Sequence, residues 1–463
     1  MATGKSAAIF SVAVASAQTE GGDPDSNILP QPDLGGLTYK GMATTTGSVD
    51  AFNFSEGGHE EEQGRRTVGQ SSIEPIGVIN KTGMDKFDTA DGDFFRAGYP
   101  DSVAVSHRFK TAQGSDPMGE GFGVILGSSM GLYEPGAASI VLSDDSVDGA
   151  AVTIPGGEVG NVAVGAPVRI AGPGQIVPEY AIITQIIDAA GGDKSLKLHP
   201  ALERTPQNGD TLELCYAFYP VIGSDNCKAN DFHARFSMGG SGTDASHSVV
   251  TSGNRCSGFS ISNSDGGASL EMSFTPLVAL GDNTNADAVE CNEGPGALLQ
   301  HRYGCRVDLA ASHTGLGSGV STQRTFLPNL DHTISVEFDV APGTPETRGL
   351  MRGGSMEVHN SMCTVSIRTE ANSDLAKMLT KQEQRTLCIG FGPSGQGEGA
   401  CFILKNGGRD GGDASVTGGD ANRIEQETTL RAIENFSGCD LTGLDPETTR
   451  LATAPYILVL PKK

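Results

Sequence analysis

Glycine constrains this chain more than any other residue, occurring 64 times beside 23 prolines and with no collagen-like period. The usual glycine share is about 7%, and this chain carries close to double that. Both residues supply the special backbone angles of tight turns and are poor inside helices, so short strands joined by long loops are expected. At 463 residues, and with roughly 150 residues per domain, about three compact units are expected.

The formal charge is −24, from 56 acidic and 32 basic residues, with the acids spread along the chain. A phosphate-binding surface needs clustered Lys and Arg, and no basic stripe occurs, so attractive nucleic-acid binding is not expected. The acidity has two readings: solubility at high concentration, or a channel wall that repels DNA passing through it.

Nine cysteines (Cys215, Cys227, Cys256, Cys291, Cys305, Cys363, Cys388, Cys401, Cys439) are an odd number without a CxxC pair. A disulfide framework and a structural zinc site are both disfavoured. Several lie in apolar runs such as "TLELCYAF", "TLCIGF" and "ACFIL", where a thiol packs as a small hydrophobe, so reduced core cysteines are expected. The opening "MATGKSAAIFSVAVASAQ" imitates a signal peptide, but Ile9 to Ala15 serves equally as a strand. No segment approaches 18 consecutive apolar residues, so a soluble chain is expected.

The polar stretch "TEGGDPDSNILPQPDLGG" has no helical period and reads as an extended arm. From "GSVDAFNF" through "SSIEPIGVINKTG" the pattern fits a hairpin. Between 136 and 217, short apolar alternations separated by "PGG", "GPG", "AGG" and "QNGD" predict about six strands in a small β-barrel or sandwich. Further along, "GFSIS", "ASLEMSFTPL", "TISVEFDV", "CTVSIRTE", "RTLCIGFG" and "ACFILKN" read as strands. One convincing helix is expected at "SDLAKMLTKQEQ", with Leu375, Met378 and Leu379 on one face. Leu270, Phe274 and Pro276 recur as Leu387, Phe391 and Pro393 at a constant displacement, and "MGGS" with Cys256 is echoed by "MRGGS" with Cys363, which points to a duplicated β-domain.

No catalytic, cofactor-binding or metal-ligating residue is assigned, and no cofactor is expected. "GKS" at Gly4 to Ser6 lacks the upstream glycine of a phosphate loop. "GQGEGA" at Gly395 to Ala400 has dinucleotide-fingerprint spacing but leads into the predicted strand "CFILKN", where a helix is required. Neither a GxSxG elbow nor HExxH occurs, and the histidines, among them His59, His107, His233 and His359, have no ligand-like spacing. "DTADGD" (Asp88 to Asp93) and "GGRDGGDASVTGGDAN" (Gly407 to Asn422) mix carboxylates and glycines as calcium loops do, without EF-hand or nonapeptide spacing.

Three segments together resemble the tail tube proteins of long-tailed bacteriophages. "FSVAVASAQTEGGDPD" is similar to that family's opening strand and polar arm, and "GNRCSGFSISNSDGGASLEMSFTPL" to its central pair of strands. "GGDASVTGGDANRIEQETTLRAIEN" is similar to its late Gly-Asp turn and final strand. The resemblance implies a mainly β fold: tandem tail-tube-like sandwich or barrel domains, an inserted small β-barrel, and one or two short helices. The expected organisation is an N-terminal strand and arm at 1–45, a first tube-like domain at 46–135 and 218–300, and the insert at 136–217. A second tube-like domain follows at 301–445, then a C-terminal strand or tail at 446–463.

It implies a non-enzymatic virion protein, assembled in the host cytoplasm, whose stacked rings form the tail tube. Duplex DNA would pass through the lumen without specific binding, and tape-measure and tail-terminator proteins would be partners. No membrane is involved. With two tube domains per chain, a trimeric pseudo-hexameric ring is favoured over a hexameric one, closing strand edges on symmetry mates. The competing readings are a capsid decoration or baseplate component, a secreted calcium- or carbohydrate-binding β-module, and an enzyme. The absence of Trp, with eight Tyr, supplies a sugar-stacking platform poorly, and an enzyme should offer a coherent acid, base or metal set.

Overall fold

The computed structural model describes strands 10–16, 40–42, 52–56 and 100–108, and then residues 117–119, 121–170, 178–229, 232–238, 247–264, 267–275, 278–282, 305–311, 324–327, 329–342, 356–370, 384–391, 399–409, 415–418, 424–432 and 435–462. Across these residues the protein is mainly β, with two α-helices, α1 (Gly121–Gly127) and α2 (Pro446–Thr453). The helix expected at 373–384 lies almost wholly outside them, as do the polar arm after residue 16 and the second strand of the expected hairpin.

Numbered along the chain, the strands form three layers. An outer sheet runs β3 (Phe52–Glu56), β4 (Pro100–Arg108), β14 (Gly267–Thr275), the second half of β13 (His247–Ser264), β18 (Asn329–Pro342), β19 (Met356–Glu370) and β23 (Ile424–Ala432). A central sheet runs β17 (Thr325–Leu327), β16 (Cys305–Ala311), β20 (Arg385–Phe391), β21 (Ala400–Arg409), β24 (Tyr456–Pro461), β11 (Thr211–Pro220) and β5 (Met130–Tyr133). Every pairing is antiparallel. The third layer is a barrel of β6 (Ser139–Val141), the start of β11, β8 (Pro167–Ile170), β9 (Glu179–Asp188), β10 (Lys194–His199) and β7 (Ala151–Ile154). The Ser143 amide donates to the Thr153 carbonyl at 3.0 Å, joining the barrel's first and last strands.

Alternation explains the layering. Ile334, Val336 and Phe338 of β18, Val365 and Ile367 of β19 and Leu430 of β23 point inward against Ile389, Phe402, Leu458 and Phe218 of the central sheet. On its other face the central sheet turns Ala217, Ile403, Ile457 and Val459 toward Val168, Ile182 and Leu196 of the barrel. A strand covered on both sides favours apolar residues at every position, and β24 is buried from end to end. Burying one such aliphatic or aromatic side chain contributes about 1.5–3 kcal/mol.

A smaller sheet, β2 (Lys40–Met42), β1 (Phe10–Ser16), β12 (Phe232–Met238), the first half of β13 and β15 (Val278–Asp282), leaves the body where β13 changes sheets. At that corner the Cys256 amide donates to Ser128 Oγ at 2.9 Å, and Ser129 Oγ donates to the Cys256 carbonyl at 2.7 Å. The strand bulges between Cys256 and Gly258, and a Cβ at Gly258 would stand 2.6 Å from the Val336 carbonyl oxygen. Bulges of this kind let one strand serve two sheets.

Two boundaries differ from the sequence reading. The six strands between 136 and 217 are present, but the expected break at 217/218 falls inside β11, whose first residues belong to the barrel and whose last belong to the central sheet. The run "TLELCYAFYP" is apolar throughout, so nothing in it marks the change of layer. Across the expected boundary at 300/301, β13 pairs with β18 and both halves supply one core. Of the strand or tail expected at 446–463, the strand is present as β24, and it lies in the middle of the central sheet. The internal repeat also fails to repeat its pairing. β13 and β14 are hairpin neighbours, whereas β19 and β20 lie in different sheets; the shared residues reflect the inward spacing common to strands.

Candidate functional site

The outer sheet has one face toward the core and one toward solvent, and the solvent side carries hydroxyls in register. Ser262, Thr333, Ser366 and Thr429 form one row across β13, β18, β19 and β23. Ser260, Ser335 and Thr364 form the next, which ends on Arg431. Neighbouring strands lie about 4.8 Å apart and residues two apart along a strand about 6.8 Å, so the rows make a flat lattice of short polar groups. Their inward neighbours Ile261, Ile334, Val336, Val365 and Leu430 fix this orientation through burial.

Charge enters at the margins of the two rows: Arg431 ends the second, and Glu271 of β14 stands opposite Ser260 in register. Asp331 and Arg368 pair across β18 and β19 at 3.3 Å, with Glu427 opposite Arg368 in register. Glu337 and Asp339 continue along β18, exposed. Arg431 approaches Met362 Sδ at 3.0 Å. Four carboxylates, Asp331, Glu337, Asp339 and Glu427, thus face two guanidiniums, Arg368 and Arg431, and the described part of this face has no lysine. Ser366 Oγ donates to Glu427 Oε1 at 3.4 Å. A serine beside a carboxylate, with no imidazole to relay the proton, is not an activated nucleophile. The face is suited to contact.

The buried ionisable groups are tied up in holding the layers together. Arg324 donates to Asp308 at 3.0 Å, to the Tyr180 carbonyl at 2.9 Å and to the Ala201 carbonyl at 2.7 Å. Arg306 reaches Asp308 at 2.8 Å and Glu203 at 2.9 Å. The bonds to Tyr180, Ala201 and Glu203 cross from the central sheet to the barrel. Inside the barrel Arg169 pairs with Glu213 at 2.6 Å and donates to the Tyr180 hydroxyl at 3.3 Å. Burial opposes the charge on Arg169, but Tyr180, Cys215 and Glu213 together hold it more firmly protonated than usual. Lys405, fully buried on β21, donates from Nζ to the Leu451 carbonyl at 2.8 Å. Burial lowers its pKa to about 8.

The seven described cysteines are free, and six are buried, as expected. Burial pushes Cys215, Cys256 and Cys388 up to about 12 and Cys439 to about 11. Such thiols stay protonated and unreactive at neutral pH. His199 lies 2.8 Å from Thr386 Oγ1 and stacks on Phe436, and His332 packs on Phe391. Among the described residues, no group of three or more His, Cys, Asp or Glu could hold a metal ion.

Of the weighed motifs, Gly4 to Ser6, His59 and Asp88 to Asp93 lie outside the described residues. Gly395 to Ala400 does lead into strand β21. In the Gly407 to Asn422 segment, Gly407–Arg409 pair with β23, and Ser415–Gly418 form β22, also on β23. The hydroxyl rows were missed by sequence reading, although the alternating Ser and Thr of "GFSIS", "HTISVEF", "CTVSIRT" and "ETTL" were their signal. The chain matches no family model, and no curated protein matches it in sequence. Among the described residues, no helix is long and apolar enough to cross a membrane.

Proposed function

We propose that this protein is a self-assembling structural subunit, the ring-forming component of a long-tailed bacteriophage's tail tube, with the hydroxyl face of its outer sheet turned to the lumen. The observation that carries this reading is the composition of that face: in-register hydroxyls, more carboxylates than guanidiniums, and no lysine. A wall of this kind gives duplex DNA weak, exchangeable hydrogen bonds and no counterion-releasing contacts, so the genome slides without being held. Strand β3 has a ladder on one side only among the described residues, and an open edge of this kind is closed by pairing with a neighbouring copy.

Rings stacked on one another then form the conduit for ejection into the host, with length set by a tape-measure protein and the end closed by a tail terminator. The role is virion-structural and non-enzymatic. A ring of three follows if each chain supplies two assembling units, and a ring of six if it supplies one. The single core shared by both halves favours six.

Electron microscopy of the purified protein tests the reading. Stacked rings with a central channel near the width of duplex DNA are the expected result, and ring symmetry decides between three and six. A monodisperse monomer at high concentration, forming no tubes at any salt, would overturn it. Closed assemblies without a channel would favour a capsid decoration or baseplate component instead.

A further inference from the structure

The central sheet is closed by strand β24. Strands β11 and β21 do not pair with each other; β24 lies between them, bonded to Cys215–Phe218 on one side and Cys401–Leu404 on the other. Its odd and even positions serve different cores. Tyr456, Leu458 and Leu460 face the outer sheet, and Ile457 and Val459 face the barrel. Each of these five side chains is at most 3% exposed.

Helix α2, which delivers the strand, is fitted as closely. Gly165 of the barrel has φ +88°, and a Cβ there would stand 2.5 Å from Ala452 Cα, so the helix backbone lies directly against the barrel turn. Lys405 Nζ bridges the two, 2.8 Å from the Leu451 carbonyl and 3.4 Å from that of Gly165. The Phe436 amide donates to the Thr453 carbonyl, and the Lys462 amide to the Leu214 carbonyl. By contrast Leu441, Thr442 and Gly443, which lead into the helix, are exposed.

We infer that residues 446–463 act as a closing wedge: neither core forms until this segment is seated, so the subunit becomes assembly-competent only with the segment in place. Without it β11 and β21 present two apolar strand edges to water, and the barrel loses its cover of Ile457 and Val459. The fold thereby withholds its self-assembling surfaces from any chain in which this segment is unseated. This holds whatever the finished subunit assembles into.

The test uses the full chain with a protease recognition sequence placed between Thr442 and Gly443, first shown to have native size and a single unfolding transition. After cutting, the C-terminal fragment is expected to co-elute with the body. It should be released only in denaturant, after which the isolated body no longer unfolds cooperatively. Release of the fragment on cutting, with the body still unfolding cooperatively, would overturn the inference. Hydrogen exchange on the unmodified protein gives a second reading. Amides of Ile457–Val459 should exchange within about tenfold of those of Cys401–Ile403, as one cooperative unit. Exchange about a hundredfold faster in β24 would show that it opens alone and closes nothing.

Discussion

The outer and central sheets are built from similar antiparallel strands and share one core, yet they differ in what they can present. The outer sheet spends alternate positions on the core and keeps Ser260, Thr333, Ser366 and their neighbours for solvent. The middle strands of the central sheet, β21, β24 and β11, have almost no such positions, since both their faces are covered by cores. One sheet therefore holds the molecule together, and the other is free to carry a contact surface. Substitutions should expose that division of labour directly.

The largest effect is expected in β24. Val459→Asp places a carboxylate with no partner in the core between the central sheet and the barrel and should cost above about 5 kcal/mol, enough to prevent folding; soluble yield and circular dichroism check it. A Val459→Asp protein with native unfolding behaviour would break the comparison.

Next comes the seam between central sheet and barrel. Arg324→Met strips Asp308 and three main-chain carbonyls of their donor, and should cost about 3 kcal/mol in urea unfolding. Arg306 retains Asp308 at 2.8 Å, which limits the loss.

Alkaline titration sharpens the same contrast. Burial pushes Cys215 and Cys388 up to about 12 in the fold, against an ordinary thiol value of 9.0. Their contribution is therefore full below pH 9 and lost as pH rises toward 12. From pH 9 to 10 each should cost about 1 kcal/mol. Lys405 works in the opposite direction: burial lowers it to about 8 in the fold, against an ordinary 10.5. The unfolded chain holds the extra proton between those values, so raising the pH stabilises the fold. Lys405→Met should thus steepen the loss between pH 9 and 10 by about 1 kcal/mol, measured as the difference between the two proteins' unfolding curves.

The smallest effect belongs to the outer face. Ser335→Asp, beside Ser260 and Thr364, should change stability by no more than about 0.5 kcal/mol in the same assay. A large loss there would mean that the hydroxyl face is structural.

Much of the strand content was legible because alternation and turn residues are local signals. Each of "TISVEFDV" and "CTVSIRTE" declares one apolar and one polar face. The free, buried cysteines were equally plain, since "LCYAF" and "CFIL" give a thiol only apolar neighbours. What stayed hidden depends on long-range pairing. Nothing near Tyr456 says that "YILVL" will sit between residues 215–218 and 401–404, so the C-terminus read as a strand or tail. Helix α2 did have a local signal in Asp445-Pro446, with Asp445 accepting from the Glu447 and Thr448 amides at 2.9 Å each, the usual arrangement of N-cap and first-turn proline. The hydroxyl rows depend on the registers of four strands, and no single strand encodes a register.

The run of β11 from the barrel into the central sheet has a mechanical meaning. Its first residues are laddered to β6 and β8, and its last to β24 and β5. A pull on the barrel along this strand reaches the middle of the molecule without crossing a loop, and there it loads the bonds to β24 and β5 together, in shear. The barrel is thus a rigid handle, and a force applied to it is felt by the whole subunit.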